Sequence, residues 1–230
     1  MILGRQEWEH LLFVHYEVEE AALRREVPDA LELDRHEERS WVTIIPFRIR
    51  RSRPAFLPRA AAPILPASAF VELNFRTYVR GPDGEAGVFF FSLDASSLLA
   101  VAAGRAVYRL PYVHARMELT VDDGAIRFSS ARISGPEECE ARYRPAGTPA
   151  PAAPGTLDHF LIERYALFAV DGTKVSAARV RHHPYRVQSV SLETWRENLL
   201  VGRGFAPAPF SAIHYAAALP VEVSSPFRAG

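Results

Sequence analysis

Residues 70–80 alternate so regularly that they can form only one kind of element. Val71, Leu73, Phe75, Thr77 and Val79 occupy one parity, and Phe70, Glu72, Asn74, Arg76 and Tyr78 the other. Successive side chains of a strand point to opposite faces, whereas a helix would scatter either set around its circumference. The segment reads as a strand with one core face and one polar face. Residues 112–121 repeat the pattern, with Val113, Ala115, Met117, Leu119 and Val121 against Tyr112, His114, Arg116, Glu118 and Thr120. Short turns join these strands to their neighbours. Gly81-Pro82-Asp83-Gly84 leads into residues 87–93, and Asp122-Asp123-Gly124 into 125–133 and then 138–144, which predicts antiparallel hairpins and a meander. The run Phe89-Phe90-Phe91 has no polar parity and predicts burial on both faces.

The rest of the chain adds strands at residues 10–18, 31–33, 41–47, 175–180 and 185–192. Short helices are expected at residues 19–26, stopping before Pro28, and at 96–108, leaving at Pro111. Thr156 can cap a third before residues 160–170 pass into a strand that ends at Asp171-Gly172. Residues 53–68 and 145–155, rich in Pro and Ala, read as loops, and the tail after Gly204 as coil with at most one or two short strands. The segments flanking both loops are amphipathic and mutually dependent, so residues 1–230 are expected to be one domain. The fold class is α+β.

Charge excludes some partners. Lys and Arg together number 27, as do Asp and Glu, so no net field draws the chain to nucleic acid or an anionic membrane. No apolar run is long enough to span a bilayer and the N-terminus has no signal-type apolar core. A single cysteine, Cys139, excludes an internal disulfide and fits a reducing cytosol, so a cytoplasmic location is expected. Electrostatics names no partner, and homo-oligomerisation is left open.

Several kinds of chemistry have no sequence support. The eight histidines lack metal-ligand spacing, and His182 and His183, adjacent on an extended segment, point to opposite faces. No phosphate-cradling glycine loop, nucleophile elbow or Cys/His dyad is present. No cofactor and no metal are expected. Lys174 is the only lysine, and the Asp171-Gly172 turn before it predicts an exposed position. Glu163-Arg164 reads as an ion-paired or packing element rather than a catalytic pair.

Four stretches in register carry a family resemblance. Residues 22–34 contain Leu23-Arg24, Val27-Pro28, Leu31 and Asp34, followed later by Leu93-Asp94, Gly104-Arg105 and Pro111. This order resembles the acetoacetate decarboxylase superfamily. Within it, Glu72-x-Asn74-x-Arg76-Thr77-Tyr78, residues 90–95, Leu110-Pro111-Tyr112 and residues 160–165 are similar to an uncharacterised YqjF-like branch. The resemblance runs from about Trp8 to Leu192 and implies a strongly bent antiparallel sheet, or incomplete barrel, around a central cavity with a few peripheral helices.

It also implies a departure. The decarboxylases follow Gly-Arg, six residues on, with Pro-Lys-Lys, whose first lysine forms a Schiff base with the keto acid. Here Tyr112 and Val113 stand in those places, and neither can form an iminium. Glu72 matches an acidic residue of the decarboxylase site in approximate register, while the arginine of that family's first strand is replaced by Glu9 and His10. By itself the polar parity of residues 72–78 reads first as the wet face of a two-sided sheet; the resemblance reverses that reading and implies that it lines the cavity. On that reading Tyr112 and Glu72 are the proton-transfer candidates, and Arg76, Asn74, Tyr78 and His114 the substrate-binding ones. The resemblance alone implies a small-molecule partner, and the expected function is binding or transformation of a small carboxylate- or carbonyl-bearing metabolite without a Schiff base. The alternative is a non-catalytic binding protein that has kept the cavity and lost the chemistry.

Overall fold

The computed structural model describes residues 1–206 and 208–230. In chain order its elements are β1 (Ile2–Val18), α1 (Glu20–Glu26), β2 (Glu32–Leu33), β3 (Ser40–Pro54), β4 (Phe70–Arg80), β5 (Ala86–Ala95), α2 (Leu98–Ala103), β6 (Tyr112–Asp122), β7 (Ala125–Arg132), β8 (Glu138–Pro151), α3 (Leu157–Ile162), β9 (Ala166–Asp171), β10 (Lys174–Arg181), β11 (Arg186–Glu197), α4 (Leu199–Gly202), β12 (Ala212–Ser224) and β13 (Phe227–Arg228). The strands form one sheet in the order β13-β10-β9-β5-β6-β7-β8-β11-β12-β1-β3-β4-β2. Because β4 also pairs with β5, and β10 with β12, the bent sheet closes into a ring without becoming a regular barrel. Pairing is antiparallel except where β5 meets β6 and β9. The β5–β6 pair is parallel because the chain crosses over through α2 before returning.

Bulges supply the bend. The register of β1 against β3 shifts between Glu9 and Val14, around His10 at φ 57°, and that of β4 against β5 shifts between Phe75 and Arg76. The resulting wall of β1, β3 and β4 is buried on both faces. One face carries Leu12, Val14, Ile44, Leu73 and Phe75 into a core shared with Leu119, Phe128 and Tyr143 of the meander. The other carries Leu11, Phe13, Ile45, Phe47 and Tyr78 into a second core, shared with Leu161, Ile162, Ala169 and Tyr185. Glu72, Asn74, Arg76 and Tyr78 lie on this second face and are all buried, so the polar parity is interior.

Three sequence expectations are corrected. The Pro-rich stretch 145–155 is not all loop, since β8 continues through Pro145 and Pro149 to Pro151. Beyond Tyr143 β8 has left β7 and pairs only with β11, an edge-like setting in which proline is tolerated. The tail contains the 13-residue β12, paired with β1 along most of its length; of that tail, Pro207 lies outside the described residues. Residues 53–68 include the end of β3 and a 3₁₀ turn at Arg59–Ile64.

Candidate functional site

A short distortion in the helix places Tyr112. The Ser97 hydroxyl caps α2 by accepting the Ala100 N–H at 3.3 Å, and the helix then widens into a π turn, Gly104–Tyr108, that ends at Arg109 with φ 55°. A Cβ on Gly104 would lie 2.3 Å from two ring carbons of Tyr112, so only glycine lets that ring pass beneath the turn. Next to it, Arg105 Nε donates to the Tyr112 carbonyl at 2.8 Å. Gly104 and Arg105 thus fix both ring and backbone of residue 112.

So held, the Tyr112 hydroxyl donates to Glu72 Oε2 at 3.2 Å. Glu72 is 3% exposed. Burial, opposed by hydrogen bonds from Tyr112 and Asn74, pushes its carboxyl up to about 8, so at neutral pH it is mostly the protonated acid. The same burial, with the neighbouring carboxyl, raises the Tyr112 phenol far above its ordinary value. The pair can give up a proton at neutral pH far more readily than take one.

Two residues along β4 lies a cavity of about 40 Å³, walled by Asn74, Arg76 and Arg164 and by aromatic groups including Trp8, Phe13 and Phe90. Asn74 Oδ1 and Arg76 Nε are buried without a hydrogen-bond partner. The two arginines differ. Arg164 places Nη1 2.6 Å from Asp34 Oδ2 and stacks 4.2 Å over Phe160. Arg76 is 8% exposed, has no carboxylate within 4.0 Å among the described residues, and makes one long bond from Nη2 to the Leu161 carbonyl at 3.4 Å.

Asn74 and Arg76 therefore face the cavity, while Glu72 and Tyr112 form a pair beside it, linked to it through Asn74. Tyr78 turns to the Leu161 carbonyl at 2.9 Å. His114 is half-buried and makes no side-chain hydrogen bond among the described residues. Lys174 is exposed at the start of β10. Sequence reasoning missed Trp8 and Phe13 as cavity walls, because residues 11–16 are buried without a break and show no parity. Arg164 carried a signal in its adjacency to Glu163, but its contact with Asp34 joins residues 130 positions apart.

The model of a family described as uncharacterized conserved protein, DUF2071, matches residues 5–220. The chain is 36% identical over 215 residues to the uncharacterized protein YqjF of Bacillus subtilis (strain 168), covering 92% of this chain and 86% of that one. In fold it is similar to the acetoacetate decarboxylase of Legionella pneumophila, with a TM-score of 0.68 at 15% identity over 99% of this chain and 87% of that one. The enduracididine biosynthesis enzyme MppR, solved with pyruvate, gives a TM-score of 0.67 at 13% identity, covering 99% and 91%. An acetoacetate decarboxylase-like enzyme from Sphingomonas wittichii RW1 gives 0.64 at 13%, covering 99% and 93%.

Proposed function

The chain belongs to the DUF2071 family of uncharacterized conserved proteins, and from that premise we propose that it binds a small carboxylate- or carbonyl-bearing metabolite at the interior cavity and acts on it without a Schiff base. The observation that carries this reading is Arg76. An ionised guanidinium removed from water without a counter-charge costs several kcal/mol, and proteins keep such a group where something else completes it. A carboxylate accepting from the Arg76 fork supplies the missing charge, and Asn74 Oδ1 accepts from a second polar group of the ligand. Protonated Glu72, behind Asn74 and bonded to Tyr112, is the acid of the site. At about 40 Å³ the cavity is little more than the share of one water in liquid, about 30 Å³, so a metabolite fits only as the walls move. Imine chemistry is left out of the proposal because Tyr112 stands where the sequence resemblance puts the decarboxylase lysine, and Lys174 is exposed.

A second reading, a binding protein without catalysis, rests on a separate observation: Glu72 and Tyr112 satisfy one another, and neither lines the cavity. One experiment separates the two. Pyruvate is incubated with the protein in D2O, and both its binding and deuterium incorporation at its methyl group are followed by NMR. The first reading expects Arg76-dependent binding with exchange that Glu72→Gln abolishes, the Glu72 acid protonating the keto oxygen while water takes the methyl proton to give the enol, which reverts with deuterium; the second expects binding without exchange. Binding unaffected by Arg76→Met overturns both. Borohydride with pyruvate or acetoacetate should add no mass; a substrate adduct on Lys174 would overturn the exclusion of imine chemistry.

A further inference from the structure

Behind the cavity a file of polar side chains crosses the second core. Asp158 Oδ1 lies 3.1 Å from His214 Nε2, His214 Nδ1 3.2 Å from His15 Nε2, and His15 Nδ1 2.8 Å from Thr43 Oγ1. Thr43 Oγ1 is 2.5 Å from the Tyr78 hydroxyl, which is 2.9 Å from the Leu161 carbonyl and, more distantly, 3.4 Å from His15 Nδ1. Asp158 is half exposed; His15, Thr43 and Tyr78 are wholly buried. The file starts at solvent and ends at the carbonyl that Arg76 also touches.

Both ends of this file are acceptors, a carboxylate and a carbonyl. Five links need five protons. Neutral His214, neutral His15, Thr43 and Tyr78 supply one each, which is four. With a fifth proton, one histidine is an imidazolium facing Asp158, every link is filled, and Tyr78 is committed to the Leu161 carbonyl. Without it the carbonyl is the end most readily left unfilled, because Arg76 Nη2 stands at 3.4 Å to take it.

We infer that His15 and His214 hold one exchangeable proton whose uptake is coupled to capture of an anion by Arg76. When the proton is present, Tyr78 holds the Leu161 carbonyl and Arg76 is free to turn its fork to the cavity. When it is absent, Arg76 is retained on the carbonyl. Electrostatics acts with the same sign. The charged groups facing the file are Asp158 on α3 beside His214, Arg76 on β4 beside His15 and Tyr78, and Arg164 beside Tyr78. Burial, with His214 and Arg76 adding to it, holds His15 well below the ordinary histidine range, and burial also lowers His214 against the pull of Asp158. An anion on Arg76 cancels one of the charges opposing the proton. By reciprocity the proton then favours the anion.

The coupling rests on the functional reading of Arg76, whereas the proton file is testable without a ligand. The first measurement is a pH titration of the His15 and His214 ring nitrogens by NMR in the ligand-free protein. The two rings should titrate together with one midpoint, as a single proton shared between them. Tyr78→Phe leaves three links from Asp158 to Thr43, which three protons fill with both histidines neutral, so that midpoint should fall by about one pH unit or more. Asp158→Asn, at the half-exposed end, replaces the carboxylate with an amide whose N–H fills the first link, so it should lower the midpoint likewise, and it serves if Tyr78→Phe fails to fold. Independent titrations, or a midpoint unmoved by either substitution, overturn the file. The second measurement is calorimetric binding of formate, the smallest carboxylate, in buffers of different ionisation enthalpy. Proton uptake is expected, with affinity rising by up to about tenfold per pH unit as pH falls. Binding lost in Arg76→Met but without uptake overturns the coupling alone. Binding retained in Arg76→Met, or no binding, removes the functional reading of Arg76 and the coupling with it.

Discussion

Glu72→Gln removes the most perturbed acid of the site while keeping its shape and its capacity to accept from Tyr112. In the folded protein the Glu72 carboxyl sits at about 8, against an ordinary value of 4.5. A group raised on folding contributes stability that is fully present below its unfolded value and is lost as pH rises through its folded one. For Glu72 the window is pH 4.5 to 8. At about 1.36 kcal/mol per pKa unit the loss across it is of the order of 5 kcal/mol, an upper limit because local opening that wets the carboxyl relieves part of it. His10, His15, His182 and His214, all held below their ordinary value chiefly by burial, act in the opposite direction below about pH 6.5. The difference between wild type and variant cancels them. Urea unfolding at half-unit steps from pH 4.5 to 9 should show Glu72→Gln gaining on wild type by up to about 1.4 kcal/mol per pH unit, then holding level above pH 8. Parallel curves would mean that Glu72 is ionised in the folded protein, and the acid role proposed for it would fall.

Arg76→Met replaces a buried, uncompensated guanidinium with an apolar side chain of similar length, so it should raise the unfolding midpoint by roughly 1–4 kcal/mol equivalent while abolishing carboxylate binding; a destabilised variant would show that Arg76 is structural. Asp34→Asn should cost about 3–5 kcal/mol in denaturant unfolding, because it leaves Arg164 charged and buried without its partner. Gly104→Ala forces a methyl group against the Tyr112 ring and should cost about 1–3 kcal/mol. It should also displace the phenol from Glu72, lifting the carboxyl titration seen by NMR, since the Tyr112 hydrogen bond is the larger of the two, with Asn74, that hold it down.

Secondary structure was legible wherever one face of an element met the core and the other did not. The alternation over residues 112–121 falls within β6, and Thr156 caps α3 by hydrogen-bonding its own helix, a matter of three residues. Illegible segments were those whose partner lies far along the chain. Ala-rich β12 is a strand because β1, about 200 positions away, presents an edge to it, and Pro-containing β8 persists because β7 departs where its prolines begin. The site divides along the same line. Sequence by itself determined the parity that puts Glu72, Asn74 and Arg76 on one face of β4, the phenol in place of any amine at position 112, and the Gly104-Arg105 pair that serves that position, because strand alternation and chemical identity are local properties. Tertiary structure decided that this face is interior, that Glu72 pairs with Tyr112, that Asp34 compensates Arg164 and leaves Arg76 bare, and that Asp158 reaches Tyr78 through two histidines and Thr43. Burial and counter-charge depend on which distant segments the closed sheet brings together, and a linear pattern does not carry that information.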